Sequence, residues 1–258
     1  MKKKVTYDAG YRDFYDKKEK EHWDLLEKAI QKADIPLNEV MKNYAAYIRR
    51  RDMPRLLAHY ELFRMVENLP GSIVELGVFL GAGLFTFAKL LETFVPGDRS
   101  RKVYGFDNFK GYPDFTEKDG QALPWVKKLI GNKKSKLSYI EDMVRLHNND
   151  NLIPGVERVK IIPGDIKDTV PEFVKSSLGM RISLLYFDVN IYEPTKVGLE
   201  FLYPLVIPGG VVAFNAYGAP PWEGEANAIE EYFSNLGRQP VMNKFSFSTH
   251  PSAYFIKE

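Results

Sequence analysis

The sequence predicts an α/β fold built on a mostly parallel sheet covered on both faces. Short, near-continuous apolar runs recur from residue 72 onward, and helical patterns of about ten or more residues lie between most of them. Strands buried on both faces read as unbroken apolar runs, and parallel neighbours need a crossover between them, usually a helix. A length of 258 residues fits one such domain plus a helical extension, and 45% hydrophobic residues are enough for a sizeable core.

Residues 11–34 are charged and weakly amphipathic, with Phe14, Trp23, Leu26 and Ile30 at helical spacing, and Pro36 ends the pattern. A second helix is expected over 52–68 from Leu56, Leu57, Tyr60, Phe63, Met65 and Val66, with Asp52 as N-cap and Pro54 in the first turn. These helices make residues 1–70 an N-terminal extension, and 71–258 the main domain. Strands follow at 72–78, 101–107, 158–162, 182–188 and 210–214, and two closing strands at 241–247 and 253–257 bring the sheet to seven. Helices are expected at 84–94, 167–178, 193–205 and 225–236. Residues 108–157 form a long insertion with Pro113, Pro124, Trp125, a Lys-rich stretch over 127–136 and a helix over about 138–147. A connection of this length reads as a partial lid.

Composition excludes several classes. The 36 basic and 34 acidic residues nearly cancel, which argues against a nucleic-acid partner. The absence of cysteine rules out disulfides, thiolate metal sites and a cysteine nucleophile. No apolar run reaches the roughly 18 residues of a membrane span, and the basic Met1–Lys4 stretch is followed by polar sequence rather than a signal core. A cytoplasmic protein with no membrane and no nucleic-acid partner is expected.

Ligands of open α/β sheets bind outside the carboxyl ends of the strands. The first strand ends in Glu75-Leu-Gly77-Val-Phe-Leu-Gly81-Ala-Gly83. This G-x-x-x-G-x-G order, with an acid two residues before the first glycine, is not the G-x-G-x-x-G dinucleotide fingerprint. A nicotinamide oxidoreductase is therefore disfavoured. The second strand ends in Asp107-Asn108, the third is followed by Pro163-Gly164-Asp165, and the fourth ends in Asp188. Four successive strands ending at or near an acid resemble the Rossmann-like class I S-adenosylmethionine (SAM) methyltransferases. That resemblance implies SAM as cofactor, with Glu75, Gly77, Gly81, Gly83, Asp107, Asn108, Asp165 and Asp188 at its site. Asp107 would accept both ribose hydroxyls, and the Asp165 position would accept the adenine amino group.

Three blocks narrow the resemblance. Val103-Tyr-Gly-Phe-Asp-Asn-Phe-Lys-Gly-Tyr-Pro113, Leu185-Tyr-Phe-Asp-Val-Asn-Ile-Tyr-Glu-Pro-Thr195 and Leu202-Tyr-Pro-Leu-Val-Ile-Pro-Gly-Gly-Val-Val212 resemble the macrocin O-methyltransferase family over roughly residues 44–257. The stretch from Tyr47-Ile-Arg-Arg-Arg51 to Tyr60-Glu-Leu62 is most similar to calicheamicin-type rhamnose O-methyltransferases. This implies methylation of a deoxysugar hydroxyl, on a nucleotide-sugar or a glycosylated natural product of antibiotic biosynthesis, by a homo-oligomer. The family pattern carries D-x-D-x-Y after the fourth strand and D-D-Y after the fifth, whereas this chain has Asp188-Val-Asn190-Ile-Tyr192 and Asn215-Ala216-Tyr217. Magnesium prefers carboxylate oxygen, so Asp188 and Asn215 make a poor metal pair and turnover independent of Mg2+ is expected. With fewer acids around it, Asp188 is expected to favour its ionised form and to act as general base, with His250 as the competing base. Asn190, Asn215, Tyr217 and Trp222 are the expected substrate contacts. Arg49, Arg50 and Arg51 could pair with a carboxylate or phosphate. His22, His59 and His147 read as packing residues. The rival reading is a methyltransferase-fold protein that binds SAM or a sugar nucleotide without turnover.

Overall fold

The computed structural model describes residues 10–112, 115–120, 122–126 and 134–258. The chain forms two compact units, Met1–Met53 and Pro54–Glu258. In the first, α1 (Gly10–Ala33) and α2 (Leu37–Lys42) are separated at Pro36, and a 3-10 turn follows at Tyr44–Ala46. Arg49 and Arg51 both reach Glu19, at 3.2 and 2.5 Å, and the Arg49 guanidinium lies over the Trp23 ring.

The second unit is built from α3 (Met53–Val66), β1 (Ser72–Leu76), α4 (Ala82–Phe94), β2 (Val103–Asp107), the short α5 (Ala122–Trp125), α6 (Leu137–Asn149), β3 (Val159–Pro163), α7 (Ile166–Ser176), β4 (Ile182–Phe187), α8 (Tyr192–Phe201), β5 (Val206–Phe214), α9 (Glu223–Asn235) and β6 (Ala253–Ile256). The sheet order is β3-β2-β1-β4-β5-β6; β1 to β5 are parallel and β6 is antiparallel to β5.

Among the described residues the sheet has six strands rather than the expected seven. Residues 241–247 touch the outer edge of β6 at a single pair, Asn243 and Tyr254, which exchange backbone hydrogen bonds of 2.7 and 2.8 Å. Pro240 has no N–H to extend the ladder on one side. On the other, Ser248 N–H donates to the Phe245 carbonyl and turns the chain away.

Alternation along the strands sorts the core into two layers. Ile73, Val103, Leu184, Tyr186 and Val211 pack with Leu62, Phe63 and Val66 of α3, Leu84, Phe87 and Leu91 of α4, and Ile140 of α6. Val74, Leu76, Phe106, Leu185, Phe187, Val212 and Phe214 pack with Val170, Leu199, Ile229 and Phe233 of α7, α8 and α9. Burial contributes roughly 1.5–3 kcal/mol for each large apolar side chain, so slipping β4 by one residue would exchange both layers at prohibitive cost. The helix within the long insertion, α6, thus belongs to the sheet's cover. Two buried arginines tie down helix ends: Arg101 donates to the Val66 and Glu67 carbonyls, and Arg158 to those of Val95 and Pro96 while pairing with Glu92 at 2.5 Å. Strand order reverses between β1 and β4, whose ends are level: Leu76 pairs with Phe187, and the Asp188 N–H donates to Leu76 at 2.7 Å.

Candidate functional site

A cleft of about 430 Å³ opens at this reversal, outside the carboxyl ends of the strands. Gly77, Asp107, Asn108, Asp165, Asp188, Asn190, Asn215, Trp222 and His250 line it, so nine of the expected site residues converge there. Tyr112 and Ser135, both within the expected lid, also form its wall. The expected lid residues 113–114, 121 and 127–133 lie outside the described residues.

The glycine-rich turn follows from close packing. Gly77 has φ +90°, and a Cβ there would stand 2.2 Å from the Asp188 carbonyl oxygen. At Gly83 a Cβ would meet a Glu75 carboxylate oxygen at 1.9 Å. Glu75 itself is buried behind the turn rather than on the cleft wall. Its carboxyl sits at the N-terminal end of α4, where the Leu84 N–H reaches it, and burial pushes it well above the usual carboxylate range. One of its oxygens, Oε2, has no partner among the described residues. Gly81, Gly83 and Glu75 therefore shape the turn from behind, while Gly77 alone of the four faces the cleft.

Asp107 gathers both neighbouring loops. Its Oδ2 accepts from Val78 N–H and Phe79 N–H at 2.8 Å each, and Oδ1 accepts from Phe109 N–H at 2.6 Å. Phe79 and Phe109 both have positive φ, 52° and 57°, as does Asn190 with 62°. Non-glycine residues in this region cost of order 1–3 kcal/mol and cluster at functional sites. Asp165 is the N-cap of α7, accepting from Lys167 N–H at 3.0 Å. Asn108 Oδ1 accepts from Lys110 N–H at 2.7 Å.

At the end of β4, Asp188 forms an ion pair with Arg55, which projects from the first turn of α3. Burial raises the Asp188 carboxyl above its ordinary value, and Arg55 pulls it back. The expectation drawn from the lost neighbouring acids left out burial, which sets the direction upward. Burial outweighs their absence, and the opposing influence is a guanidinium. The two asparagines form a neutral relay: Asn215 Nδ2 donates to Asn190 Oδ1 at 3.1 Å, and Asn190 Nδ2 donates to the Tyr112 hydroxyl at 2.9 Å. His250 Nδ1 lies 3.1 Å from the Asn215 carbonyl. A carbonyl only accepts, so Nδ1 carries the proton and Nε2 is the basic nitrogen. Tyr217 is not on the cleft wall; it packs against the α7–α9 layer.

A family model described as Macrocin-O-methyltransferase (TylF) matches residues 15–244. The chain belongs to the macrocin O-methyltransferase family. It is 34% identical over 168 residues to demethyldecarbamoylnovobiocin O-methyltransferase of Streptomyces niveus, covering 64% of this chain and 59% of that protein. The chain spans about six tenths of the length of the curated relatives it matches. The crystal structure of CalS11, calicheamicin methyltransferase, superposes with a TM-score of 0.84 at 30% identity, covering 97% of this chain and 94% of that one. An apo structure of CalS11, titled as a TDP-rhamnose 3'-O-methyltransferase, gives 0.76 at 28% identity, covering 97% and 96%. The fold is that of the class I SAM methyltransferases.

Within this macrocin-family site two participants escaped the sequence reading. Arg55 looks in sequence like any solvated helix arginine. Glu225 was legible in principle, because it stands three and four residues before the buried Ala228 and Ile229, on the apolar face of α9. It is fully buried; its Oε1 accepts from Ala216 N–H at 2.6 Å, and burial raises its carboxyl to about 8. Glu225 thus braces the loop after β5 from behind the asparagines, and its Oε2 has no partner among the described residues. His59 packs between the Phe87 and Tyr186 rings, and His147 stacks on Phe85 at 4.2 Å. Among the described residues no helix is long and apolar enough to cross a membrane.

Proposed function

We propose that this chain is a SAM-dependent O-methyltransferase that methylates a hydroxyl of a deoxysugar, carried on a nucleotide-sugar or a glycosylated natural product. The observation that carries the reading is the convergence of Asp107, Asp165 and Asp188 on one cleft at the strand reversal. The residues fit SAM: Gly77 brings bare backbone to the cleft wall, and Asp107 and Asp165 are acceptors placed along it. Bound SAM supplies an activated methyl group on a sulfonium. The similarity to CalS11, a TDP-rhamnose 3'-O-methyltransferase, supports a sugar hydroxyl as acceptor.

The protein's contribution is placement and proton removal. Asn190 and Asn215, fixed by each other and by Tyr112, present amide groups that orient the acceptor hydroxyls. Trp222, 5.4 Å from the Tyr112 ring, gives an apolar face for the sugar. Asp188 accepts the hydroxyl proton, and burial strengthens its hold on that proton. His250 Nε2 is the alternative acceptor on the same wall. Magnesium does not fit this donor set: Asp188 is held by a guanidinium, and its neighbours are amides already bonded to one another. Residues 108–157, apart from α6, act as a partial lid that excludes water, residues 1–70 are an N-terminal helical extension, and the working form is a cytoplasmic homo-oligomer.

The test is product analysis with SAM and a panel of nucleotide-deoxysugars and glycosides, alongside titration with S-adenosylhomocysteine. Binding of that product without methyl transfer to any sugar would instead favour a binding protein that has lost catalysis.

A further inference from the structure

A hydroxyl oxygen that attacks a methyl group while losing its proton gathers partial negative charge. In this cleft the side chains directly after β4 and β5, Asn190 and Asn215, are neutral amides, with His250 on the same wall, and among the described residues no three His, Asp or Glu side chains gather to hold a metal ion. A fixed cation is nevertheless present. Arg55 lines the cleft, and its Nη2 donates to Asp188 Oδ2, the one hydrogen bond Arg55 makes among the described residues. Its Nε is buried with no partner among the described residues, so the guanidinium retains donors unused by them beside the carboxylate.

The placement is rigid. Arg55 follows Pro54 in the first turn of α3, and the next turns bury Ala58, His59, Leu62 and Phe63 against the sheet. The His59 ring, 5.1 Å from Tyr186, fixes α3 against β4 two residues before Asp188. A guanidinium is always charged and matches a carboxylate in shape, so it neither titrates away nor exchanges as an ion does. A dication on Asp188 would meet this positive group at contact distance. Guanidinium and metal therefore exclude each other at that carboxylate.

Building on the O-methyltransferase reading, we propose that Arg55 is the resident cation of the acceptor site. It is a positioning residue that orients Asp188 and supplies, covalently attached to α3, the positive charge that acid-rich sites obtain from magnesium. In the transfer step the C–S bonding pair stays with sulfur, the acceptor oxygen forms the C–O bond, and its proton passes to Asp188. Arg55 gains and loses nothing; its fixed charge offsets the charge growing on the oxygen.

The test uses the full-length protein with two readouts. Mn2+ binding, followed by electron paramagnetic resonance with and without S-adenosylhomocysteine, needs no acceptor and so is independent of which sugar is methylated. The expected result is no bound Mn2+ that depends on Asp188. In the second readout, Arg55→Met should keep S-adenosylhomocysteine affinity within about threefold and leave KM for the acceptor little changed. Its kcat should fall about a hundredfold, the scale of losing one charge-stabilising donor. Arg55→Lys, which restores the charge, should recover most of the lost rate. Bound Mn2+ that disappears in Asp188→Asn would overturn the assignment. So would an Arg55→Met enzyme with wild-type kcat, or one whose cofactor affinity falls in step with kcat, since Arg55 would then serve the cofactor or the fold. A wild type that binds no S-adenosylhomocysteine would strike the methyltransferase reading itself, and the Mn2+ result would still judge Arg55.

Discussion

Asp107→Ala is the substitution whose consequences the structure specifies most fully. The carboxylate holds three backbone N–H groups, of Val78, Phe79 and Phe109, at 2.6–2.8 Å. Two of those residues sit at positive φ and rely on the surrounding bonds to stay there. Hydrogen bonds to a charged group contribute about 1.5–3 kcal/mol each, but these donors border an open cleft, where water replaces part of the loss. About 1 kcal/mol per bond remains, or roughly 3 kcal/mol of stability, a fall in Tm of several degrees for a chain of this size. Cofactor binding suffers twice, through the missing ribose acceptor and through loops that must be ordered on binding. Isothermal titration should show S-adenosylhomocysteine affinity down at least a hundredfold, about 2.7 kcal/mol. Asp107→Asn keeps one acceptor but turns an NH2 toward a backbone N–H, so its loss should be intermediate. An Asp107→Ala protein that melts with the wild type and binds S-adenosylhomocysteine within threefold of it would refute both the bracing role and the cofactor pocket as drawn.

Other outcomes follow from the same geometry. Glu225 has an ordinary carboxylate value of 4.5 when unfolded and about 8 when folded. Its stabilising contribution is therefore complete below pH 4.5 and lost as pH rises toward 8. Chemical denaturation of Glu225→Gln should lack that slope and gain on the wild type by a few kcal/mol across this window, whereas parallel curves would mean the carboxyl is ionised in the fold. Methyl transfer should survive EDTA yet fall at least a hundredfold in Asp188→Asn; loss with EDTA and recovery with magnesium alone would show that the remaining ligands suffice. Hydrogen exchange across residues 112–136 should slow when cofactor product and acceptor bind together, and identical exchange would make that segment a passive surface.

Much of this architecture was legible because buried parallel strands leave an unmistakable trace. β4, with all six residues buried, and β1, with all five, read as plain apolar runs, and the acids at their ends could be placed on one edge of the sheet. The seventh strand was misread because Val241, Phe245 and Phe247 supply the apolar residues of a strand while Pro240 and the turn at Phe245–Ser248 deny it a ladder. Glu75 shows a different limit. Its position at a strand end is readable, but whether its side chain faces the cleft or the helix behind it depends on packing with Gly83. Arg55 marks the limit most clearly. It lies 133 residues from Asp188, and no local pattern signals a pair that the α3–β4 packing creates.

The most direct test of the account is mass analysis of the acceptor panel after incubation with SAM and the full-length chain in EDTA. The account predicts an acceptor that gains one methyl group on a sugar oxygen, with S-adenosylhomocysteine formed in equal amount and neither product seen with Asp188→Asn. Methylation at nitrogen or carbon, or tight cofactor binding with every acceptor unchanged, would contradict it.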